Sequence, residues 1–376
     1  MLVQGLCEQK FLEIKEIFNN SFKNLTETGA SFSIIQNKKK IISLYGGTTN
    51  SQNSPWNEKT IVNTFSASKG IYEACAAKLI NEDILDLEKP VSYYWPSFKQ
   101  SNKASILVKH IFSHQSGMYR FKTKLENKDL LDWEKIISIL ENQEPDHNPG
   151  EQTYYHAKTH GYLIGNLIRI VSGLSLGQYL RKNITNKENL NFYFGLDDLQ
   201  MPNVADLSLK KTNEKNSDYK NENFNAFNNP EQNIEFYNSQ GWRRAEIPSM
   251  GGHGNSDAIA FIYDHLANDF KSDQKNIISQ NLLIECLEET ESRIDLSLNF
   301  PIRWTNLGFI LRGGWMFGKH KESFGHNGWG GSLGFADPIN GLGVSYVTRE
   351  INPTMGLDKR AVNLIKKFYE ILPSTI

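Results

Sequence analysis

Alternating apolar patterns fall at the two ends of this chain, and helical patterns fill the space between. Residues 32–35 and 41–45 alternate on either side of Gln36-Asn37-Lys38-Lys39, a β-hairpin. Period-two patterns then return only late, at 307–311, 332–336 and 342–348. The string Asp337-Pro338-Ile339-Asn340-Gly341 supplies turn chemistry between the last two. Strands that must pair across such a separation imply one antiparallel sheet closed by both chain ends. Phe11, Ile14, Phe18, Phe22 and Leu25 place an amphipathic helix at 10–25, and Ala361, Leu364, Ile365, Phe368 and Ile371 place another at 358–372. Helical patterns at 66–81, 105–113, 132–142 and 160–172 make the middle mostly helical. The expected fold class is α+β, with residues 1–65 and 295–376 forming a discontinuous sheet domain flanked by the terminal helices. Residues 66–294 form the helical domain, and an Asn/Lys-rich stretch at about 204–240 reads as a polar surface loop.

Composition narrows the function. Lys and Arg total 41 against 42 for Asp and Glu, so no overall charge draws the 376-residue chain to nucleic acid or an anionic membrane. No run of about 18 apolar residues could span a bilayer, and the first thirty residues lack an apolar signal core. Cys7, Cys75 and Cys286 lie far apart and cannot all pair, which suits a reducing, cytoplasmic setting. A small-molecule substrate is the expected partner; oligomeric state is not legible.

Three patterns compete for the chemistry. Gly330-Gly331-Ser332-Leu333-Gly334 matches a nucleophile elbow, but Ser332 leads into a strand and a turn, and no histidine follows His326. His110/His114 and His156/His160 have i, i+4 spacing without the intervening glutamate of zinc hydrolases, so they read as hydrogen-bonded structural histidines and no metal is expected. Ser66-Ala67-Ser68-Lys69 sets a serine and a lysine one helical turn apart. Ser208…Lys211, Ser217…Lys220 and Ser272…Lys275 share that spacing in polar surroundings. Only Ser66 runs into an apolar helix able to bury its lysine and lower its pKa, as a base requires.

Four segments then resemble, in order, the serine β-lactamase and penicillin-binding-protein superfamily, and within it the class C-like family VIII carboxylesterases and related acyltransferases. They are Thr64-Phe65-Ser66-Ala67-Ser68-Lys69, Val108-Lys109-His110-Ile111-Phe112-Ser113-His114-Gln115-Ser116-Gly117, Pro149-Gly150-Glu151-Gln152-Thr153-Tyr154-Tyr155-His156-Ala157 and Gly325-His326-Asn327-Gly328-Trp329-Gly330-Gly331-Ser332. The resemblance implies that Ser66 is acylated and that Lys69 and Tyr155 share base and acid work; the tyrosine serves as base only if Lys69 and a neighbouring dipole lower its pKa. It further implies that the backbone N–H groups of Ser66 and Trp329 hold the oxyanion. His156, His326 and Gly328 then belong to the substrate-binding surface, and no cofactor is needed. Where class C β-lactamases carry Tyr-x-Asn, this chain has Tyr155-His156-Ala157, which removes an amide-binding side chain and favours esters. Ile247-Pro248-Ser249-Met250-Gly251-Gly252-His253-Gly254 resembles a cleft loop of the same subgroup. The expected activity is a serine hydrolase acting on small esters. β-Lactamase or D-amino-acid peptidase/amidase activity, and a non-catalytic binding or assembly protein of the same fold, are the alternatives.

Overall fold

Asn37 and Lys38 both take positive φ, 50° and 64°. That is the geometry of a two-residue turn whose twist suits a hairpin, and it joins β2 (Gly29–Gln36) to β3 (Lys39–Gly47). The computed structural model describes residues 3–210, 225–268, 277–290, 293–314, 316–352 and 358–372. Its main sheet also contains β1 (Gln4–Cys7), β4 (Ile310–Leu311), β5 (Phe324–Asn327), β6 (Leu333–Asp337) and β7 (Leu342–Thr348). The order is β1-β3-β2-β7-β6-β5-β4 with every neighbour antiparallel. The two chain ends meet where β2 pairs with β7, with Gln36 opposite Leu342 and Ala30 opposite Thr348. The family fold expected from the motifs, an antiparallel sheet with a helical middle, is therefore present.

The helices that cover the sheet and place the site are α1 (Leu12–Lys23), α2 (Lys69–Asn81), α3 (Thr159–Ser172), α4 (Ser256–Ala267) and α5 (Lys359–Ile371). Strand alternation sorts the two sheet faces. Phe32, Ile34, Val344 and Tyr346 share a core with Phe11, Ile14, Phe18, Leu364 and Phe368 from the terminal segments. Ser33 points the other way and meets Ser256 Oγ at 2.7 Å and Asp257 Oδ1 at 2.5 Å, at the start of α4. Glycines let α4 lie close: a Cβ on Gly343 would sit 1.9 Å from the Ala260 carbonyl oxygen.

Several details differ from the sequence expectation. Helix α4 falls inside the 66–294 range read as the helical part, yet it packs on β2, β6 and β7. Its period is hidden because it is buried on nearly every side, from Ser256 and Ala258 round to Ala267. The edge strand β1 was not expected; its residues are mostly exposed and carry no core pattern. Of residues 307–311 only Ile310 and Leu311 join the sheet. The 204–240 stretch is not simply a surface loop. Ser208–Leu209 pairs with Glu350–Ile351, and Asn225–Asn228 and Ile234–Tyr237 are short helices. Their aromatic residues explain the difference: Phe227 and Tyr237 are buried. Residues 211–224 of that stretch lie outside the described residues.

Replacing Gly343 by alanine is expected to lower stability by about 1–3 kcal/mol through overpacking under α4. Thermal unfolding measures this, and an unchanged Tm would contradict the close helix–sheet approach.

Candidate active site

The chain enters α2 through a strained turn. Phe65 has φ of 47°, a left-handed conformation that a bulky side chain rarely adopts and that must be held by its surroundings. Its N–H donates to Asn63 Oδ1 at 3.1 Å, and its ring makes edge contacts with Tyr237 and Trp329 at 5.5 and 5.2 Å. A 3-10 turn, Phe65–Ser68, then runs directly into α2. Ser66 alone in that turn is only half-buried; Ala67, Ser68 and Lys69 are enclosed.

Lys69 Nζ lies 3.1 Å from Ser66 Oγ and donates to the carbonyl oxygens of Ala157 at 3.1 Å and Ser249 at 3.3 Å. Burial disfavours its charge and brings its pKa down to about 7, although Glu73 one turn further along α2 pulls the other way. A neutral amine has two N–H donors and one lone pair. With both donors directed to carbonyls, the lone pair is left for the Ser66 hydroxyl.

Tyr155 completes a tight group. Its ring stacks on Trp304 at 5.8 Å, Lys69 Nζ stands 4.8 Å from its centroid, and it lines the same cavity as Ser66. The condition for Tyr155 to act as base, a pKa lowered by Lys69 and a neighbouring dipole, is not met. Burial pushes the phenol well above its ordinary range and outweighs the lowering influence of nearby Ser66, so it stays protonated. Its backbone N–H donates to Asp295 Oδ1 at 3.2 Å; the same oxygen accepts from the N–H groups of Ser297 and Leu298 at 3.0 Å each.

The fourth segment arrives on β5. Its His326 is buried, held uncharged by that burial, and donates from Nδ1 to the Asn327 carbonyl oxygen at 2.8 Å. Gly328 abuts the Ser66 turn so closely that a Cβ would lie 2.2 Å from the Thr64 carbonyl oxygen and 3.3 Å from the Ser66 nitrogen. Trp329, the next residue, covers Phe65 with its ring. Ser66, Tyr155, His326, Gly328 and Trp329 all line one cavity of about 370 Å³. Its remaining wall is largely apolar, from Phe227, Met250, Leu298, Trp304 and Ile310.

His156 does not join them. It is fully buried on the other side of its segment, donating from Nδ1 to the Tyr154 carbonyl oxygen at 2.6 Å and accepting from Ser116 Oγ at 2.7 Å. The expected substrate-binding role for His156 is corrected accordingly: the chain that turns Tyr155 into the cavity turns its neighbour out of it. His160 is also structural, bonded to Tyr72 Oη at 2.5 Å and to the Phe112 carbonyl oxygen at 3.1 Å. Ser332 sits at the start of β6, where its Oγ accepts from the Thr348 N–H at 3.3 Å. Sequence reasoning missed Asp295 and the carbonyls of Ala157 and Ser249. Backbone acceptors leave no side-chain signal, and Asp295 is remote in sequence from the tyrosine it holds.

Comparison with known proteins agrees with this geometry. The sequence pattern of the Beta-lactamase family matches residues 18–366. The chain is 24% identical over 379 residues to the esterase/beta-lactamase LipL of Mycobacterium tuberculosis (strain ATCC 25618 / H37Rv), covering 95% of this chain and 85% of that protein. A crystal structure of a family VIII carboxylesterase superposes with a TM-score of 0.90 at 31% identity, covering 99% of this chain and 100% of the other. EstA from Arthrobacter nitroguajacolicus Rue61a superposes with a TM-score of 0.86 at 25% identity, covering 99% and 98%. With a strained serine turn, a buried lysine and a tyrosine converging on one cavity in this fold, the chain belongs to the Beta-lactamase family and is a hydrolase of that kind.

Proposed function

We propose that the protein hydrolyses small esters through an acyl-enzyme on Ser66. The observation that carries this reading is the Lys69 amine, whose two carbonyl partners leave its lone pair for Ser66. Ser66 Oγ bonds to the ester carbonyl carbon while its proton passes to Lys69 Nζ. The oxyanion accepts from the N–H groups of Ser66 and Trp329, and Gly328 gives it room. The bond to the leaving alcohol then breaks as Tyr155 donates its proton to that oxygen, and the Lys69 ammonium restores the phenol. Water enters by the same relay, adds to the acyl carbon, and releases the acid and Ser66. Another alcohol in place of water would give acyl transfer by the same steps.

The division of labour follows burial. Tyr155, held protonated, suits the acid role, and Lys69 suits the base role. Ala157 offers no side-chain hydrogen bond to an amide, and its carbonyl is occupied by Lys69, which supports esters over β-lactams.

Ser66→Ala is expected to reduce hydrolysis of p-nitrophenyl butyrate by about 10³-fold or more, with an unchanged Tm. Full activity would refute the assignment. In the wild type, kcat/KM rises with pH until Lys69 loses its proton near pH 7 and then levels off. Burial keeps Tyr155 protonated above that, so no alkaline loss is expected in the mildly basic range. An acid limb near an ordinary lysine pKa of about 10.4 would contradict the buried-amine mechanism. Gly328→Ala pushes β5 from the Ser66 turn and is expected to lower kcat by about 100-fold, the scale of a lost oxyanion donor.

A further inference from the structure

We propose that Arg360, at the start of α5, is a positioning residue for the reaction: from outside the cavity it fixes the glycine turn that presents the Trp329 N–H to the oxyanion. Its role rests on the Ser66 acyl-enzyme reading and deepens it.

The turn needs such a hold. Residues 328–332 link β5 to β6, and three of these five are glycines. Gly330 and Gly331 take φ of 89° and 119°, which side-chain-bearing residues rarely adopt. The same freedom leaves the backbone around Trp329 with little conformational preference of its own. Inside the turn the Gly328 N–H donates to the Ser332 carbonyl oxygen at 2.6 Å, and the Gly331 N–H to that of Gly328 at 3.3 Å. In front, the Trp329 ring meets Phe65. Behind, the hold comes from the end of the chain. The Gly330 carbonyl oxygen accepts from Arg360 Nη2 at 3.0 Å and from the Asn352 N–H at 3.4 Å. Gly331 lies so near Asp358 that a Cβ would sit 2.4 Å from its Oδ2.

Arg360 can impose a position because its own is fixed. Its side chain is 9% exposed. Nε donates to Asp358 Oδ1 at 2.9 Å and Nη2 to Asp358 Oδ2 at 2.5 Å. Nη1 donates to Glu27 Oε2 at 2.9 Å, and Nη2 also reaches the Glu350 carbonyl oxygen at 2.9 Å. Glu27 is buried and anchored in turn. It accepts from the N–H groups of Thr28 and Gly29 at 2.7 and 3.0 Å, and from Tyr346 Oη at 2.5 Å. The guanidinium is thus tied to the entry of β2, to β7 through Glu27, and to α5, and it spends one more donor on the catalytic turn. A planar fork of donors can span these acceptors at once, whereas a lysine carries a single compact charge. Desolvation offsets much of what a buried ion pair contributes to stability. What this one supplies is a fixed point behind Gly330. A displacement of about 1 Å in a group that acts on the reacting atoms can cost about 100-fold in rate.

Kinetics with p-nitrophenyl butyrate and inhibition by 1,1,1-trifluorohexan-2-one test this in Arg360→Lys. The ketone adds to a serine hydroxyl, and its oxygen then occupies the place of the oxyanion. The variant is expected to lose about 10- to 100-fold in kcat with KM within about twofold, the pattern of a contact made only in the transition state, and to bind the ketone at least about tenfold more weakly. Tyr346→Phe removes another hydrogen bond from the same cluster and leaves the donors of Arg360 in place, so its kcat and inhibition constant are expected within about threefold of wild type. Equal losses in the two variants, or a wild-type kcat and inhibition constant in Arg360→Lys, overturn the proposal. If Arg360→Lys fails to fold, Asp358→Asn is measured in the same way. It keeps Arg360 but weakens its hold from the start of α5, and is expected to show the same pattern to a smaller degree; unchanged constants there overturn the proposal. Ser66→Ala is assayed alongside. Hydrolysis that survives in it removes the ester-hydrolase reading and this role with it, whereas hydrolysis that depends on Ser66 but not on Arg360 overturns this role alone.

Discussion

Lys69 sits entirely inside the protein, and the arrangement around Ser66 depends on it being there. An ammonium taken out of water is strongly disfavoured, so burial converts this lysine into an amine near neutral pH. Helix α2 supplies the enclosure: from Lys69 to Ile80 every residue is buried. Two other segments supply the amine's acceptors, Ala157 and Ser249. These segments are themselves tied together, since the Gly161 N–H donates to Ser249 Oγ at 2.6 Å. The lysine is thus the point at which three stretches of chain are brought into register.

The same contacts explain the glycine-rich run at 251–254. Gly252 accepts from the Thr64 N–H through its carbonyl at 2.9 Å, and a Cβ there would lie 2.4 Å from Ser68 Oγ. The run lets its backbone press against the serine turn from one side, as Gly328 does from the other. Phe65, caught between, is held in a conformation it would not choose alone, and its half-buried neighbour is the nucleophile candidate. Local strain at this turn is balanced by packing against Tyr237 and Trp329.

Much of this was legible in the residues. The hairpin at Asn37-Lys38, the amphipathic terminal helices and the Ser66–Lys69 pair leading into an apolar helix each have a local physical signature. What was not legible is set by long-range packing. Helix α4 shows no clear stripe because it is buried almost all round. His156 is indistinguishable from Tyr155 by position, and only the path of the folded chain separates the residue that meets the cavity from the one that does not. The phenol's pKa direction depends on how deeply Trp304 and its neighbours enclose it. The cavity wall around Phe227 comes from a stretch so rich in Asn and Lys that composition argues for solvent, yet single aromatic residues within it find the interior.

The join between β2 and β7 has a consequence for how the molecule comes into being. Residues 29–36 find their partner only at 342–348, so a polypeptide emerging from the ribosome holds an open strand edge for some three hundred residues of synthesis. Contacts of such high sequence separation form late and slowly. The serine turn and its lysine are made early, but β5, which must close over them, is translated close to the last moment. A nascent chain would therefore carry its nucleophile unassembled until the sheet closes.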